Sequence, residues 1–231
     1  MNNPNGLLKR AFDFLWALVS IIVLSPIMLA CAIAVLIDDG WPIFYVHKRV
    51  GRHGKLFPFF KFRTMVRNAD KIGAGYEIEE RDPRITRTGN FMRRWSLDEL
   101  PQLFNILRGE MSVVGPRPTL AYQVEKYTPH QRRRLEVRPG LTGLAQIKGR
   151  NSLTWPERIE LDIEYIDNYS FIEDLRIIAA TFGVLGKSED IYGCGWAKKP
   201  GDPGYVVPSS DNAAISASKE QSESGSDKQG E

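Results

Sequence analysis

Two adjacent carboxylates, Asp98 and Glu99, follow Arg93 and Arg94 and precede Pro101 and Gln102. A carboxylate can attack phosphorus only where cations offset the repulsion from the phosphoryl oxygens. Arg93, Arg94 and Arg117 could supply those cations, and Mg²⁺ could bridge Asp98 to a diphosphate. Arg117 stands between Pro116 and Pro118, where the fixed φ of proline stiffens the turn and gives a planar guanidinium a set direction. An ordinary surface turn with a solvated Arg fits the same residues. Lys61 and Arg63 alternate with Phe60 and Phe62, so a strand there would project both cations from one face, toward substrate phosphate or lipid headgroups.

The same carboxylates also suit helix capping. With Ser96 as N-cap, Glu99 closes a capping box; with Asp98 as cap, Pro101 falls where no N–H is needed. In either register Asp98 would lie among unpaired N–H groups, whose positive field favours an ionised carboxylate and can hold an anion. His47, His53 and His130 lack the spacing of metal ligands, and no Cys–His or Ser–His pair suggests a protease-like nucleophile. Glu160, Asp162, Glu164 and Asp167 interrupt apolar positions and read as the solvated face of a helix. The run Arg132–Arg134 could touch nucleic acid, but no nucleic-acid module surrounds it.

What must position these residues begins with a membrane segment. From Phe14 to Ile37 the chain carries no charge, enough as one helix for roughly 36 Å at about 1.5 Å per residue. Ser25 and Pro26 interrupt it, and the lost N–H and the Ser hydroxyl predict a bend dividing residues 1–39 into helix, break and helix. Lys9 and Arg10 lie before the segment and a heavier basic cluster, Lys48 to Arg67, after it. The charge bias favours a re-entrant hairpin with both ends cytoplasmic over a single span with the N-terminus outside. A secretory leader fits poorly, because the apolar run is long and lacks a small-residue cleavage site.

The 231 residues, with the apolar segment and a polar tail set aside, leave one domain of ordinary size, expected at 40–190. Net charge is +3, yet residues 209–231 hold five acids and two bases, so the positive excess lies elsewhere and faces an anionic partner. Cys31 and Cys194 are too dissimilar in setting to predict a disulfide. Residues 198–231 have the composition of a disordered tail.

The pattern predicts an α+β fold, mostly helical. A small hairpin is expected from residues 43–46 and 56–60, turning at Arg52–Lys55. Helices are expected at 64–71, 91–95, 96–107, 120–127, 130–137, from Pro156 to about Tyr169, and at 172–185, the last amphipathic and interfacial. A short strand is expected at 111–114, and residues 74–84 and 141–150 read as loops.

Together these pieces resemble one family, the small monotopic phosphoglycosyl transferases, or bacterial sugar transferases. The resemblance rests on Lys9-Arg-Ala-Phe-Asp13, Ser25-Pro26, Lys61-Phe-Arg-Thr-Met65, Asp82-Pro-Arg-Ile-Thr86, Arg93 to Gln102, Val114-Gly-Pro-Arg-Pro118 and Arg138 to Gln146. They run in family order from Lys9 to about Leu185. The resemblance implies transfer of a phosphosugar from a UDP-sugar to polyprenyl (undecaprenyl) phosphate with release of UMP, in the bacterial inner membrane with the catalytic domain facing the cytoplasm. It further implies Mg²⁺ dependence, Asp98 as the nucleophile that becomes a phosphosugar ester, and Glu99 as proton acceptor or orienting group. Arg93 and Arg117 would bind phosphate oxygens, Lys61, Arg63 and Gln102 would line the site, and Ser25 and Pro26 would bend the membrane helix. Residues 149–152 with Trp155 resemble members that act on N-acetylated amino sugars.

Two other classes fit less of the pattern. One is a membrane-anchored binding protein for anionic lipid or nucleic acid without chemistry; the other is an enzyme whose dyad acts only as base or metal ligand in a direct transfer. No nucleic-acid partner is expected. A homodimer is compatible with the sequence.

Overall fold

The computed structural model describes residues 3–69, 82–149 and 152–184. All of these lie within the first of two compact units, Met1–Gly195 and Trp196–Glu231. The tail expected to be disordered lies outside the described residues, as does most of the loop expected at 74–84.

The described chain is mostly helical, with two small sheets. Helix α1 (Leu7–Asp39) starts two turns before the uncharged run and continues through Pro26. The expected division into two helices is therefore not seen, although the Ser25 hydroxyl donates to the Ile22 carbonyl at 2.8 Å as anticipated. It is the one helix among the described residues long and apolar enough to cross a membrane.

α1 is not a loose tether. Lys9, Asp13, Ala17, Cys31 and Val35 are buried along it, with Ile21 and Leu24 partly so, while Leu15, Val19, Ile22, Val23 and Leu29 remain exposed. The buried residues recur at helical spacing, so a single stripe packs on the domain and the remaining faces stay apolar and uncovered. At the N-terminal end, Lys9 donates to Asp174 at 2.6 Å, Arg10 donates to the carbonyls of Ile106 and Leu107, and Asp13 accepts from the Ser112 hydroxyl and the Val113 N–H. At the C-terminal end, Asp38 accepts from Thr88, and Arg63 donates to the Asp39 and Gly40 carbonyls. Lys9 and Arg10 are thus engaged by the domain itself.

Strands β1 (Phe44–Val50) and β2 (Leu56–Phe62) form the expected hairpin, in register Tyr45↔Lys61, His47↔Phe59 and Arg49↔Phe57. The helix expected at 64–71 is not formed over its described part: Met65 bridges Ile85 and Asn68 has φ +57°. Extended pairing there replaces local helix propensity. Helix α2 (Arg87–Arg94) is capped by Thr86, whose hydroxyl accepts from the Gly89 N–H at 3.0 Å.

The helix expected at 96–107 is interrupted. Ser96 takes φ +56°, residues Leu97–Glu99 make one 3₁₀ turn, and α3 spans only Gln102–Arg108. Neither capping register forms: Ser96 is left-handed and makes no side-chain cap bond, and α3 has Pro101, not Asp98, at its N-cap. Pro101 directly precedes α3, where its missing N–H is of no consequence.

Strand β3 (Ser112–Val114) is followed by α4 (Ala121–Glu125), α5 (Pro129–Arg132) and a 3₁₀ turn at Arg133–Glu136. Residues expected as a loop instead form β4 (Gly140–Thr142), parallel to β3, and α6 (Leu144–Lys148). The seam is tight. A Cβ on Gly140 would sit 2.1 Å from the Gly115 nitrogen, and one on Gly115 2.5 Å from the Arg138 carbonyl. Helix α7 (Trp155–Asp167) opens with a capping box between Thr154 and Glu157 and with Pro156 in its first turn, as the sequence suggested. Helix α8 (Phe171–Val184) closes the described chain. One of the acids read as solvent-facing on α7 is buried: Asp162 pairs with Arg134 at 2.5 Å. Its neighbour Ile163 packs in the core, so the 3.6-residue period turns Asp162 inward too.

Candidate active site

The site forms where three segments meet: β2, the 3₁₀ turn at Leu97–Glu99, and the stiff turn at Pro116–Pro118. Phe57 and Phe59 are buried on one face of β2, and strand alternation puts Lys61 on that same face. Its ammonium lies 3.2 Å from Asp98 Oδ2 and 2.7 Å from Glu99 Oε1. Arg117 donates to both oxygens of Glu99, at 2.5 and 3.2 Å, a bidentate geometry available to a guanidinium but not to an ammonium. Lys61, Asp98, Glu99 and Arg117 are thus brought together as the sequence suggested.

The distances between these groups are fixed from behind. The Asn105 amide, fully buried on α3, accepts from the Phe60 N–H at 3.2 Å and donates to the Pro58 carbonyl and Glu110 at 2.6 Å. This locks β2 to the helix that follows the dyad. The turn bearing Arg117 is held by Arg134, which donates to the Arg117 carbonyl at 3.0 Å and to Tyr127 and Asp162, and by the Val50 N–H, which donates to the Thr119 carbonyl at 2.9 Å.

The two carboxylates differ in their partners. Burial alone would raise Glu99, but Arg117 and Lys61 outweigh it and hold that carboxyl far below the usual range. Glu99 in turn raises Arg117. Asp98 is buried and contacts Lys61 through one oxygen; among the described residues Oδ1 accepts no hydrogen bond. Asp98 accepts from none of the backbone N–H groups of its turn, of which those of Glu99 and Leu100 donate to the Ser96 and Leu97 carbonyls.

Other expected site residues fall elsewhere. Arg63 lies at the C-terminal end of α1, paired with Asp39, not beside Lys61; β2 has ended at Phe62, so strand alternation no longer governs it. Arg93 Nε donates to Thr64 at 2.8 Å. Gln102 is buried, and its Nε2 finds no partner among the described residues. Arg94 is exposed. Trp155 lies under the guanidinium groups of Arg134 and Arg158. Asn105 and Arg134 were missed, since a buried amide on a helix and one Arg of a basic run give no local sign of their partners. Two of the three arginines in that run make ion pairs within the protein, Arg133 with Asp167 and Arg134 with Asp162.

No group of three or more His, Cys, Asp or Glu side chains that could cage a metal occurs among the described residues. Mg²⁺ commonly binds through one or two carboxylates together with substrate phosphates. Asp98, with an oxygen accepting no hydrogen bond, fits that manner of binding; Glu99, with both oxygens on cations, fits it less well.

The family model for bacterial sugar transferases matches residues 4–188. An exopolysaccharide production protein, ExoY, of Sinorhizobium fredii is 43% identical over 81% of this chain and 89% of its own length. The uncharacterized sugar transferase EpsL of Bacillus subtilis is 44% identical over 80% of this chain and 90% of its own. The undecaprenyl-phosphate galactose phosphotransferase of Salmonella typhimurium is 41% identical over 80% of this chain but only 42% of its own length, so the chain spans less than half of that longer relative. With its dyad, its stiff arginine turn and its apolar helix all inside the matched region, the chain belongs to the bacterial sugar transferase family.

Proposed function

We propose that the protein transfers a phosphosugar from a UDP-sugar to undecaprenyl phosphate, giving undecaprenyl diphosphate-sugar and UMP. The observation that carries this is the Asp98–Glu99 pair held by Lys61 and Arg117 in a member of the sugar transferase family. Relatives named for undecaprenyl-phosphate transfer of galactose and of glucose support the reaction class.

In the first step an Asp98 oxygen bonds to the β-phosphorus and the bond from that phosphorus to the bridging oxygen breaks, releasing UMP. In the second, an oxygen of undecaprenyl phosphate attacks the same phosphorus and Asp98 leaves as a carboxylate. Lys61 orients Asp98 and offsets charge on the phosphoryl oxygens. Glu99, kept ionised by Arg117 and Lys61, is a poor proton acceptor near neutral pH; of the two roles the resemblance implies, orienting Asp98 is the better supported, through the Lys61 ammonium that both carboxylates share. Asp98 would hold Mg²⁺ jointly with the donor diphosphate, and the ion would supply charge neutralisation there.

Both ends of α1 are bound to one domain, at Lys9–Asp174 and at Arg63–Asp39. That supports a helix entering and leaving on one face of the bacterial inner membrane, with the domain in the cytoplasm, in place of a span that would carry the ends apart. It also gives the chemistry a location: a lipid phosphate and a soluble nucleotide meet at the headgroup plane.

The decisive experiment is Asp98→Asn with a panel of UDP-sugars, N-acetylated and not, assayed for UMP release. Loss of release, together with a labelled phosphosugar retained on the wild-type protein when acceptor is withheld, is expected. Retained activity sinks the covalent route. Ligand binding indifferent to Asp98→Asn and steeply weakened by salt would instead indicate a binding protein.

A further inference from the structure

We propose that Arg49 is a phosphate-binding residue of this site, one that recognises a phosphate or diphosphate oxygen beside Arg117. The inference rests on the transferase reading and extends its binding machinery.

Arg49 reaches the site through the hairpin register. It pairs with Phe57, and its guanidinium carbon lies 5.6 Å from the centre of the Phe59 ring, which Lys61 approaches to 5.8 Å. The next residue, Val50, bridges Thr119 at the end of the turn that carries Arg117. One aromatic ring and one backbone bridge therefore draw Arg49 toward the cations that hold the dyad.

What sets Arg49 apart is the lack of a counter-ion. The buried arginines Arg63, Arg84 and Arg134 pair with Asp39, Asp82 and Asp162. Arg49 makes no ion pair or side-chain hydrogen bond among the described residues, and its Nε is buried without a partner. Burial and the like charge of Arg117 push it down to about 10, against Tyr45, Tyr122 and Glu99, so it remains cationic at neutral pH. A half-buried guanidinium beside another, with no acid of its own, destabilises the empty protein. An incoming anion would relieve it, and the planar donor fork suits phosphate oxygens.

Two phosphates visit such a site, that of the nucleotide and that of the lipid, and the test separates them. Affinities of the wild-type chain, Arg49→Met and Arg49→Lys would be measured for UDP, and for undecaprenyl phosphate in nanodiscs, alongside thermal midpoints. Met keeps the contact with Phe59 and removes the charge. Arg49→Met is expected to weaken one of the two ligands about 10- to 100-fold, with Lys intermediate and the thermal midpoint unchanged or raised. The weakened ligand names the phosphate. Affinities for both within twofold of wild type overturn the inference, as does a midpoint lowered by several degrees, which would make Arg49 a packing residue. Because binding is read without turnover, failure of the transferase reading would show separately, as a wild-type protein that releases no UMP.

Discussion

Arg134 and Asp162 form a buried pair that supports Arg117, and removing either partner separates stability from binding. Both side chains are 2% exposed, and Arg134 donates three hydrogen bonds: to Asp162 at 2.5 Å, Tyr127 at 2.6 Å and the Arg117 carbonyl at 3.0 Å. Arg134→Met leaves a buried carboxylate without a cation, an imbalance of about 3–5 kcal/mol. For a domain of this size each kcal/mol moves the midpoint by about 2–4 °C, so a fall of roughly 6–20 °C is expected in thermal scans at fixed rate. In Arg134→Met with Asp162→Leu no charge remains buried, and the midpoint should return to within about 5 °C of wild type. The Arg117 carbonyl stays unheld in that double variant. Its KM for UDP-sugar should therefore remain raised about 5- to 10-fold, the loss of roughly one hydrogen bond. A double variant as unstable as the two single losses added together would refute the reasoning, since the pair would then be a net source of stability.

Other expectations follow from the same contacts. Lys61→Met should lower kcat by more than tenfold while leaving the fold intact, because it strips Asp98 of its one hydrogen-bond partner among the described residues; kinetics with a thermal scan would check this. Glu99 has a folded value below its unfolded one, so its stabilisation is complete above about pH 4.5 and fades as pH falls. In Glu99→Gln the acid-side loss of stability measured between pH 3 and 5 should therefore be shallower than in wild type. Gly89→Ala would place a Cβ 2.1 Å from the Thr64 carbonyl. A loss of about 1–3 kcal/mol is expected in denaturant titrations, and an unperturbed variant would show that α2 does not rest on the strand exit.

The hairpin, the dyad and the arginine turn were legible in the sequence because each carries a local signal: alternation, adjacent carboxylates, paired prolines. The capped helix at 96–107 was not, because Ser96 adopts a left-handed backbone that no local pattern demands. β4 was read as a loop because its glycines looked like punctuation, whereas they permit the close approach of Gly140 to Gly115. Asp162 looked solvated because its partner, Arg134, is distant in sequence. Arg49 was counted among juxtamembrane cations; only the register Arg49↔Phe57 puts it on the face that also carries Lys61.

Lys9, Arg10 and Asp13 weld the start of the apolar helix to α8, α3 and β3. Truncating that helix to obtain a water-soluble catalyst would therefore strip Asp174 of its ammonium, strand the Val113 amide and open a trough where Ala17 and Val35 had been. The greasy rod is masonry of the domain, and under the proposed reading that joint would set the height of the Asp98 carboxylate above the lipid.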